Sequence, residues 1–424
     1  MATARLLAFC ALPMALVAQD QAPTVTLDEA IRLALRNQPA VIQARGDVSV
    51  AAAGRREAVG NWLPSLSVSS SMSTSSSERF DPATQLTVSG SSTSASAGLS
   101  AGLELFDGFR RFAQTRAANA GQASADAALV TQEFQVTLQT KQAFFNALAG
   151  EELVRVSETR IRRADEQLKV ARDKLAAGSA TRSDTLRSTV ELGNARLQLL
   201  NAQTQRANAI ASLSRLIGVD GPVTPVPDES LYALEPFDRG ALETELLGAA
   251  PTVLAAEAAR EAAQAQVAVT RAQYMPSLSA SYSRSFAGSD FGSLNPSWNA
   301  RLSLSWSLFN GFTREAGVAR VHASRDAAEA RVADTRRQAA AQLTQFVNLL
   351  EAARARIDIG VASTAAGQED LRVQNERYRL GAATIVEVLA SQLALDEAEV
   401  ALVQARLDFL VAKAQLEALL GRAL

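Results

Sequence analysis

The sequence is poor in the residues that carry most enzyme chemistry. Its 424 residues include one histidine and one cysteine, which argues against a His/Cys metal centre, a Cys/His nucleophile and a disulfide framework. Charge is balanced, with 42 Lys and Arg against 44 Asp and Glu, so the basic surface needed for nucleic acid is missing. No glycine-rich phosphate loop is present. We therefore expect no catalytic residues, no cofactor, no resident metal and no nucleic-acid partner.

The chain is also poor in aromatic residues, which make up 5% of it, although hydrophobic residues reach 47% because alanine is abundant. Small apolar side chains fill one thick core badly. They suit thin layers of closely packed helices.

Long apolar runs are missing except near the start. Residues 1–18, MATARLLAFCALPMALVA, place an early arginine before about a dozen apolar residues, the pattern of a secretory signal peptide. Cys10 follows the bulky Phe9 and does not fit a lipid-attachment motif. No later stretch reaches about 18 consecutive apolar residues, so no transmembrane helix is expected. An exported protein without such a helix would reside in the periplasm, outside the cell or in the outer membrane as part of a barrel.

The chain contains two copies of one unit. NWLPSLSVS at Asn61 corresponds to QYMPSLSAS at Gln273, and LFDGF at Leu105 corresponds to LFNGF at Leu308. Self-similarity of this kind indicates a structural duplication. We assign the signal peptide to 1–18, the first structural repeat to 19–218, a Pro-rich equatorial connector to 219–240 and the second structural repeat to 241–424.

Proline is absent from two long segments. None of the 12 prolines lies within 83–221 or 297–424, so nothing there breaks a helix. Each repeat is therefore predicted to contain one short helix region, one β-hairpin and one long helical hairpin, over about 109–218 and about 312–421. The first long helix would extend for roughly 100 Å at about 1.5 Å per residue.

Each predicted helical hairpin turns at a glycine, Gly178 or Gly381, which suits the left-handed backbone that ends a helix. A threonine then stands three residues before an acid in both turns, the spacing of a capping box, as Thr181 to Asp184 and Thr384 to Glu387.

The helix that returns in the second repeat has two apolar stripes. One contains Leu393 and Leu407 and is interrupted by Asp396, while the other contains Leu402 and Phe409. A single coiled-coil seam needs only one stripe, so this helix is predicted to have a neighbour on each side. Helices packed in this way form a wall, although a structural coiled coil is the alternative.

Four other segments alternate apolar and small polar residues with period two. They lie within about 63–107 and about 276–309, and they predict two β-hairpins with strands of about ten residues. One face is apolar and the other carries mostly serine. The tryptophans at 62, 298 and 306 lie in or beside these segments, as interfacial aromatics of a membrane barrel do. A soluble two-layer sheet with one wet face is the alternative.

Two arginines stand out in the second pair of strands. Arg301 belongs to the wet face. Arg284 interrupts the apolar face, and we expect it near a strand end, where a long side chain can reach water.

Four strands cannot close a transmembrane barrel, which needs at least about eight, and an open edge in lipid leaves backbone groups unpaired. Two copies would give eight strands with a filled interior, whereas three would give twelve with room for a passage. Two helical hairpins per chain would also supply twelve helices to a matching wall. We therefore expect a homotrimer.

Taken together, the sequence resembles the TolC-like outer-membrane efflux proteins. The resemblance covers nearly the whole mature chain and rests on the duplicated layout, on LFDGF and LFNGF, and on YRLGAATIVEVL from Tyr378 to Leu389. It implies a mainly α fold with transmembrane β, a trimeric channel-tunnel. Four strands per chain would contribute to a shared twelve-stranded outer-membrane barrel, and long coiled-coil-like helices would form a periplasmic α-barrel.

The resemblance also implies a function and a location. The protein would be the outer-membrane exit duct of a tripartite efflux or type I secretion system in a diderm bacterium, extending into the periplasm. It would passively conduct substrates from an inner-membrane pump of RND, ABC or MFS type. Its partners would be two further copies, outer-membrane lipid, the pump and a periplasmic adaptor (membrane fusion protein). The alternative is a periplasmic adaptor or a structural coiled-coil protein, but an adaptor has one hairpin and no serine-rich strands.

Site residues follow from the same resemblance. Asp184, Tyr378 and Glu387 fall at the periplasmic pore constriction, where a ring of three acids would favour cations. The turn surfaces expected to contact an adaptor are Gly178, Ala180, Thr181, Gly381, Ala382 and Thr384.

The sequence departs from the family at two positions of this site, and at one of them Ala390 replaces a second acidic residue. Ala383 stands where well-known members carry an arginine tied to the position of Asp184, and Arg182 is a candidate substitute for that arginine. Helix capping alone is the alternative role of Asp184 and Glu387.

Overall fold

The computed structural model of the protein describes residues 23–83, 85–233 and 238–424. The predicted signal peptide, with Cys10, lies outside the described residues, as do residues 234–237 of the predicted connector. Over the described ranges, no helix combines the length and apolar character needed to cross a membrane.

The first half of the chain leads from short elements into a pair of long strands and a pair of long helices. Its elements in chain order are β1 (Thr24–Val25), α1 (Leu27–Asn37), α2 (Pro39–Gly60), β2 (Ser65–Asp81), β3 (Leu86–Phe106), α3 (Arg110–Ala176) and α4 (Arg182–Ile217).

The second half has the same order of elements. It contains β4 (Thr224–Pro225), α5 (Arg239–Ala249), α6 (Pro251–Arg271), β5 (Ser277–Gly288), β6 (Asn295–Ser305), α7 (Thr313–Arg379) and α8 (Ile385–Leu420), with short 3-10 helices at Glu229–Tyr232 and Ala272–Tyr274. The long helices match in length, because α3 and α7 each have 67 residues and α4 and α8 each have 36. The internal correspondence of the sequence therefore continues in the secondary structure.

The four longer strands form one antiparallel sheet in the order β2-β3-β5-β6. Strands β5 and β6 have 12 and 11 residues, close to the predicted length, whereas β2 and β3 have 17 and 21. The difference comes from a stretch rich in Ser and Thr that lacks an apolar period. Cross-strand hydroxyl pairs continue the ladder there, as between Ser73 and Ser94 at 2.9 Å.

The two faces of the sheet differ in chemistry. One face carries serine and glycine in register, as where Ser67 lies opposite Ser100 with 2.7 Å between their hydroxyl oxygens. The opposite face is apolar, and on a single chain it is open to solvent, with Val68 80% exposed and Leu304 71% exposed. An apolar sheet face of this kind needs a cover.

Both junctions from strand to helix contain a strained turn. Gly108 and Phe109 have φ of 69° and 65°, and Gly311 and Phe312 have φ of 66° and 63°. The left-handed region is unfavourable for a residue with a Cβ, so the two phenylalanines need support from their surroundings. Each one makes an edge-to-face contact at 5.4 Å with the other phenylalanine of its LF(D/N)GF string.

A buried arginine follows each junction and stacks on an aromatic ring that lies just before the first long strand of that half, at Trp62 or Tyr274. The guanidinium carbon of Arg111 lies 4.6 Å from the ring centroid of Trp62, and that of Arg314 lies 4.0 Å from the ring centroid of Tyr274. Arg111 also donates to the carbonyl of Leu105 near the end of β3, and Arg314 donates to the carbonyl of Ser307 just after β6. These contacts fix the direction in which each long helix leaves the sheet.

The described residues up to Asn37, together with Gln139–Ala233 and Ala353–Val411, form one compact unit. In this unit α3 packs on α4 around Leu168 and Leu192. Helix α7 packs on α8 around Leu371 and Leu395, and Val170 of α3 also contacts that cluster. Helix α8 thus has neighbours on two sides, as its two apolar stripes predict.

Ion pairs around the buried Asp396 also connect three helices of this unit. Asp396 on α8 forms an ion pair with Arg160 at 3.0 Å and accepts a hydrogen bond from Arg163 at 2.7 Å, and both arginines belong to α3. Arg160 reaches Glu191 on α4 at 2.7 Å, and Arg163 reaches Glu399 on α8 at 2.7 Å. Burial raises the pKa of Asp396, while the two guanidinium groups act in the opposite direction.

The described residues of Gln38–Leu138, Leu234–Ala352 and Ala412–Leu424 form the other compact unit, which holds the sheet. Here α2 is tied to α3 by Arg45 and Glu133 at 3.3 Å. An ion pair between Glu257 and Arg336 ties α6 to α7.

Candidate functional site

The turn between α3 and α4 is built by a glycine and a complete capping box. Gly178 has φ of 72°, and no atom lies within 4 Å of where its Cβ would be, so the backbone angle alone requires glycine. Thr181 accepts from the backbone N–H of Asp184 at 3.3 Å, and the Asp184 carboxylate accepts from the N–H of Thr181 at 3.0 Å. Gly178 and Thr181 are exposed, and Ala180 is half-buried.

The turn between α7 and α8 repeats this construction. Gly381 has φ of 80° with open space around it. The Glu387 carboxylate accepts from the N–H of Thr384 at 2.6 Å and from its hydroxyl at 2.9 Å. The carbonyl of Ala382 accepts from the guanidinium of Arg377 at 3.2 Å. Three of these residues, Gly381, Ala382 and Thr384, are exposed.

The cap has an electrostatic consequence for Glu387. Its pKa is lowered from the ordinary value, first by the hydrogen bond from the backbone of Thr384, then by the hydroxyl of Thr384 and by the nearby charge of Arg377. The carboxylate is exposed and therefore ionised at neutral pH. It is available to a solute or a cation while it caps α8.

A lysine that the sequence reasoning did not single out joins the two turns. Lys174, in the last turn of α3, donates to the carbonyls of Tyr378 and Arg379 at the end of α7. Its ammonium nitrogen also lies 4.4 Å from the ring centroid of Tyr378. A cation at the negative end of a helix is favourable, so Lys174 stabilises the C-terminal end of α7 in the neighbouring hairpin.

Tyr378 is buried, with 4% of its surface exposed. Among the described residues its hydroxyl has no hydrogen-bond partner. Burial raises its pKa, and the negative charge of Asp184 raises it further. The structure thus brings Tyr378 and Asp184 into the same electrostatic neighbourhood without a direct hydrogen bond. The hydroxyl is a donor available for a partner that enters the site.

Beside Tyr378 lies a groove of about 400 Å³ between α3, α7 and α8. Two nearly buried amides, Gln167 and Gln392, line it, and among the described residues neither amide nitrogen has an acceptor. A buried donor without an acceptor costs free energy. Binding of a group that accepts hydrogen bonds in this groove would therefore be favourable.

Ala383, which replaces the family arginine, and Arg182, its candidate substitute, differ in their surroundings. Ala383 packs against the apolar cluster that includes Tyr378. Arg182 begins α4, and in the part of the chain that the structure describes its guanidinium forms no ion pair. The observed cation between the two turns is Lys174.

Two segments of the chain, residues 30–219 and 242–422, match the family described as outer membrane efflux protein. The chain belongs to this family. The protein is therefore an outer-membrane efflux channel of the kind that serves tripartite efflux and secretion systems. This membership excludes the functional alternative, a periplasmic adaptor or a structural coiled-coil protein. The channel is a transport protein and not an enzyme.

Individual relatives agree with this assignment. The pyoverdine export outer membrane protein OpmQ of Pseudomonas aeruginosa is 30% identical over 77% of this chain and 69% of its own length. Protein CyaE of Bordetella pertussis is 28% identical over 88% of this chain and 79% of its own. A crystal structure of CusC superposes with a TM-score of 0.84 at 20% identity, covering 94% of this chain and 92% of that one. The predicted TolC-like fold is thus confirmed.

Proposed function

We propose that three copies of this efflux channel form a continuous exit duct, with a shared twelve-stranded barrel in the outer membrane and an α-barrel in the periplasm. The sheet supports this. Strands β2 and β6 are its edges, and edge strands in lipid must be paired. Pairing β6 of one copy with β2 of the next closes the ring at three copies.

The helices give the proposed trimer a second contact surface. On α4, Leu186, Val190, Leu197 and Leu200 are 57%, 64%, 61% and 59% exposed, and they follow heptad spacing. Apolar residues at heptad spacing normally pack against a second helix, and on a single chain this stripe has no such cover. In the proposed trimer a long hairpin of the next copy covers it.

The hairpin turns are proposed to contact the periplasmic adaptor, through which the duct joins an inner-membrane pump of RND, ABC or MFS type. Their glycine-containing surfaces expose backbone and hydroxyl groups to a docking partner: Gly178, Ala180, Thr181, Gly381, Ala382 and Thr384. The pump selects the cargo and supplies the energy, while the duct conducts passively.

The same turns carry the proposed pore constriction of Asp184, Tyr378 and Glu387. Three symmetry-related Glu387 carboxylates around a narrow opening would favour cations over anions. In this proposal the contacts of Lys174 at Tyr378 take the place of the tie that Ala383 cannot make.

We further propose that the mature chain consists of two structural repeats, 19–218 and 241–424, joined by the connector 219–240 and preceded by a signal peptide over 1–18. The two separate family matches support the repeats. In the connector, β4 pairs in parallel with β1, so the connector lies beside the short strand that precedes α1.

The observation that carries the proposed duct is the open sheet with one apolar and one serine-rich face. The test is the mass of the detergent-extracted oligomer, followed by single-channel conductance in planar bilayers for the native protein and Glu387→Ala. We expect a trimer with discrete, cation-preferring openings, and weaker cation preference in Glu387→Ala. Glu376→Ala, an exposed acid near the end of α7, is the control and should behave as native. A water-soluble monomer that never inserts would overturn the proposal.

A further inference from the structure

The apolar face of β5 and β6 contains one charged residue. Arg284 lies in register with Leu99 on β3 and with Trp298 on β6. The sequence predicted a position near a strand end, but Arg284 lies in the interior of β5, four residues before Gly288. A charge here needs a polar partner, because the other residues of this face on the two strands are apolar.

The described residues do not supply that partner. Within the described ranges no carboxylate forms an ion pair with Arg284, and its guanidinium carbon instead lies 5.5 Å from the ring centroid of Phe286. Arg284 is exposed, and Trp298 beside it is 72% exposed. The site is therefore a cation with two aromatic neighbours, open on the lipid-facing side of the proposed barrel.

The level of this site follows from strand geometry. Trp298 and Trp306 lie eight residues apart, which is about 27 Å along an antiparallel strand. A tilt of about 40° reduces this to roughly 21 Å of height, close to the apolar band of about 25 Å in outer-membrane barrels. Trp306 directly follows the end of β6 that leads to α7, so Trp298 marks the opposite, outer boundary of the band. Arg284 is thus level with lipid headgroups.

We propose that Arg284 and Trp298 bind the phosphate group of an anionic lipid in the outer leaflet of the outer membrane. The proposal rests on the proposed barrel. A guanidinium binds phosphate with two parallel N–H donors, and an indole ring favours the boundary between acyl chains and headgroups. The acyl chains of that lipid would cover Leu302 and Leu304, which are exposed below Trp298 on the same face.

The test measures binding of bisphosphorylated lipid A to the purified detergent-solubilised trimer by native mass spectrometry. We compare the native protein with Arg284→Gln and Arg284→Lys. Arg301→Gln is the matched control, because Arg301 lies on the same pair of strands but on the wet face. Arg284→Gln should weaken binding at least about tenfold, as loss of a charge-assisted contact predicts. Arg284→Lys should lie between the two, and Arg301→Gln should bind as the native protein does.

Three results would overturn the inference. These are equal binding by the native protein and Arg284→Gln, equal binding of lipid A stripped of its phosphates, and equally tight binding of inorganic phosphate alone, which would indicate a site for free anions. Channel conductance of each variant is recorded in parallel. Normal conductance with no effect of Arg284→Gln on lipid binding refutes this site alone, whereas a native protein without conductance refutes the proposed duct.

Discussion

Lys174, in the last turn of α3, holds the end of α7 through Tyr378, with 4.4 Å between its ammonium nitrogen and the ring centroid. The same ammonium group donates to the Tyr378 carbonyl. The two residues are 204 positions apart in the sequence, so this contact ties the turn of the first hairpin to the turn of the second.

Removing this contact should open the duct. Lys174→Ala loses a charge-assisted hydrogen bond worth about 1.5–3 kcal/mol and a cation–π contact worth about 0.5–1 kcal/mol. We expect the open probability in planar bilayers to rise by about tenfold or more, since about 1.4 kcal/mol corresponds to a factor of ten. Lys169→Ala removes an exposed lysine of the same helix and should leave gating unchanged. Indistinguishable gating in the two variants would show that Lys174 does not hold the turns together.

Asp396 should be far more sensitive to truncation than a surface acid. Asp396→Ala leaves the half-buried Arg160 and Arg163 without their shared carboxylate. Each arginine keeps a glutamate partner, so we expect a cost of about 3 kcal/mol, at the lower end for a broken buried pair. Glu369→Ala removes an exposed partner of Arg372 and should cost less than about 1 kcal/mol. Chemical unfolding in detergent measures both. Equal losses would mean that the buried pairs add little to the packing of α3 on α8.

Acid should loosen the second turn through Glu387. Its pKa in the folded protein is lowered, so the cap stabilises the turn above the unfolded pKa and this stabilisation is lost as the pH falls through the folded value. Hydrogen exchange at the first turn of α8, corrected for intrinsic rates, should therefore accelerate below about pH 4.5. Glu387→Gln should show fast exchange throughout with little dependence on pH. A native turn that stays equally protected down to pH 3 would contradict this role.

The two turn glycines should not tolerate a side chain. Gly178→Ala and Gly381→Ala force a Cβ into the left-handed region, at a cost of about 1–2 kcal/mol, although no neighbouring atom is in the way. Gly46→Ala also places its Cβ in open space, but in the regular interior of α2, and should stabilise the protein by about 0.5–1 kcal/mol. Thermal unfolding midpoints should move in opposite directions. A fall in all three would mean that steric crowding, and not backbone angle, decides.

The features that could be predicted from the sequence are those written in short local patterns. Period two on one face of β5 and β6, the absence of proline from the long helices and the threonine-to-acid spacing at Thr181 and Thr384 each depend on a few neighbouring residues. The segments LFDGF, LFNGF and YRLGAATIVEVL then indicated the TolC-like fold. Each of these signals is decided by backbone geometry that a residue imposes on its own segment.

The rest depends on residues distant in sequence. Asp396 only interrupts a stripe until Arg160 and Arg163 of another hairpin reach it, and Lys174 has no local signal because its partners are carbonyls of α7. Strands β2 and β3 exceed the predicted length because hydroxyl pairs such as Ser73 with Ser94 extend a ladder that apolar periodicity does not reveal. Register, and not composition, decides where such strands end.

The serine-rich face has a consequence for whatever leaves the cell. Turned inward in a closed ring, hydroxyl groups donate and accept hydrogen bonds equally well, and their central rows hold no fixed charge on β2 and β3. Away from Arg301 on β6, solutes of either charge would meet a surface that resembles the water around them. The serine rows would therefore retain little, and discharge past them would follow the concentration gradient.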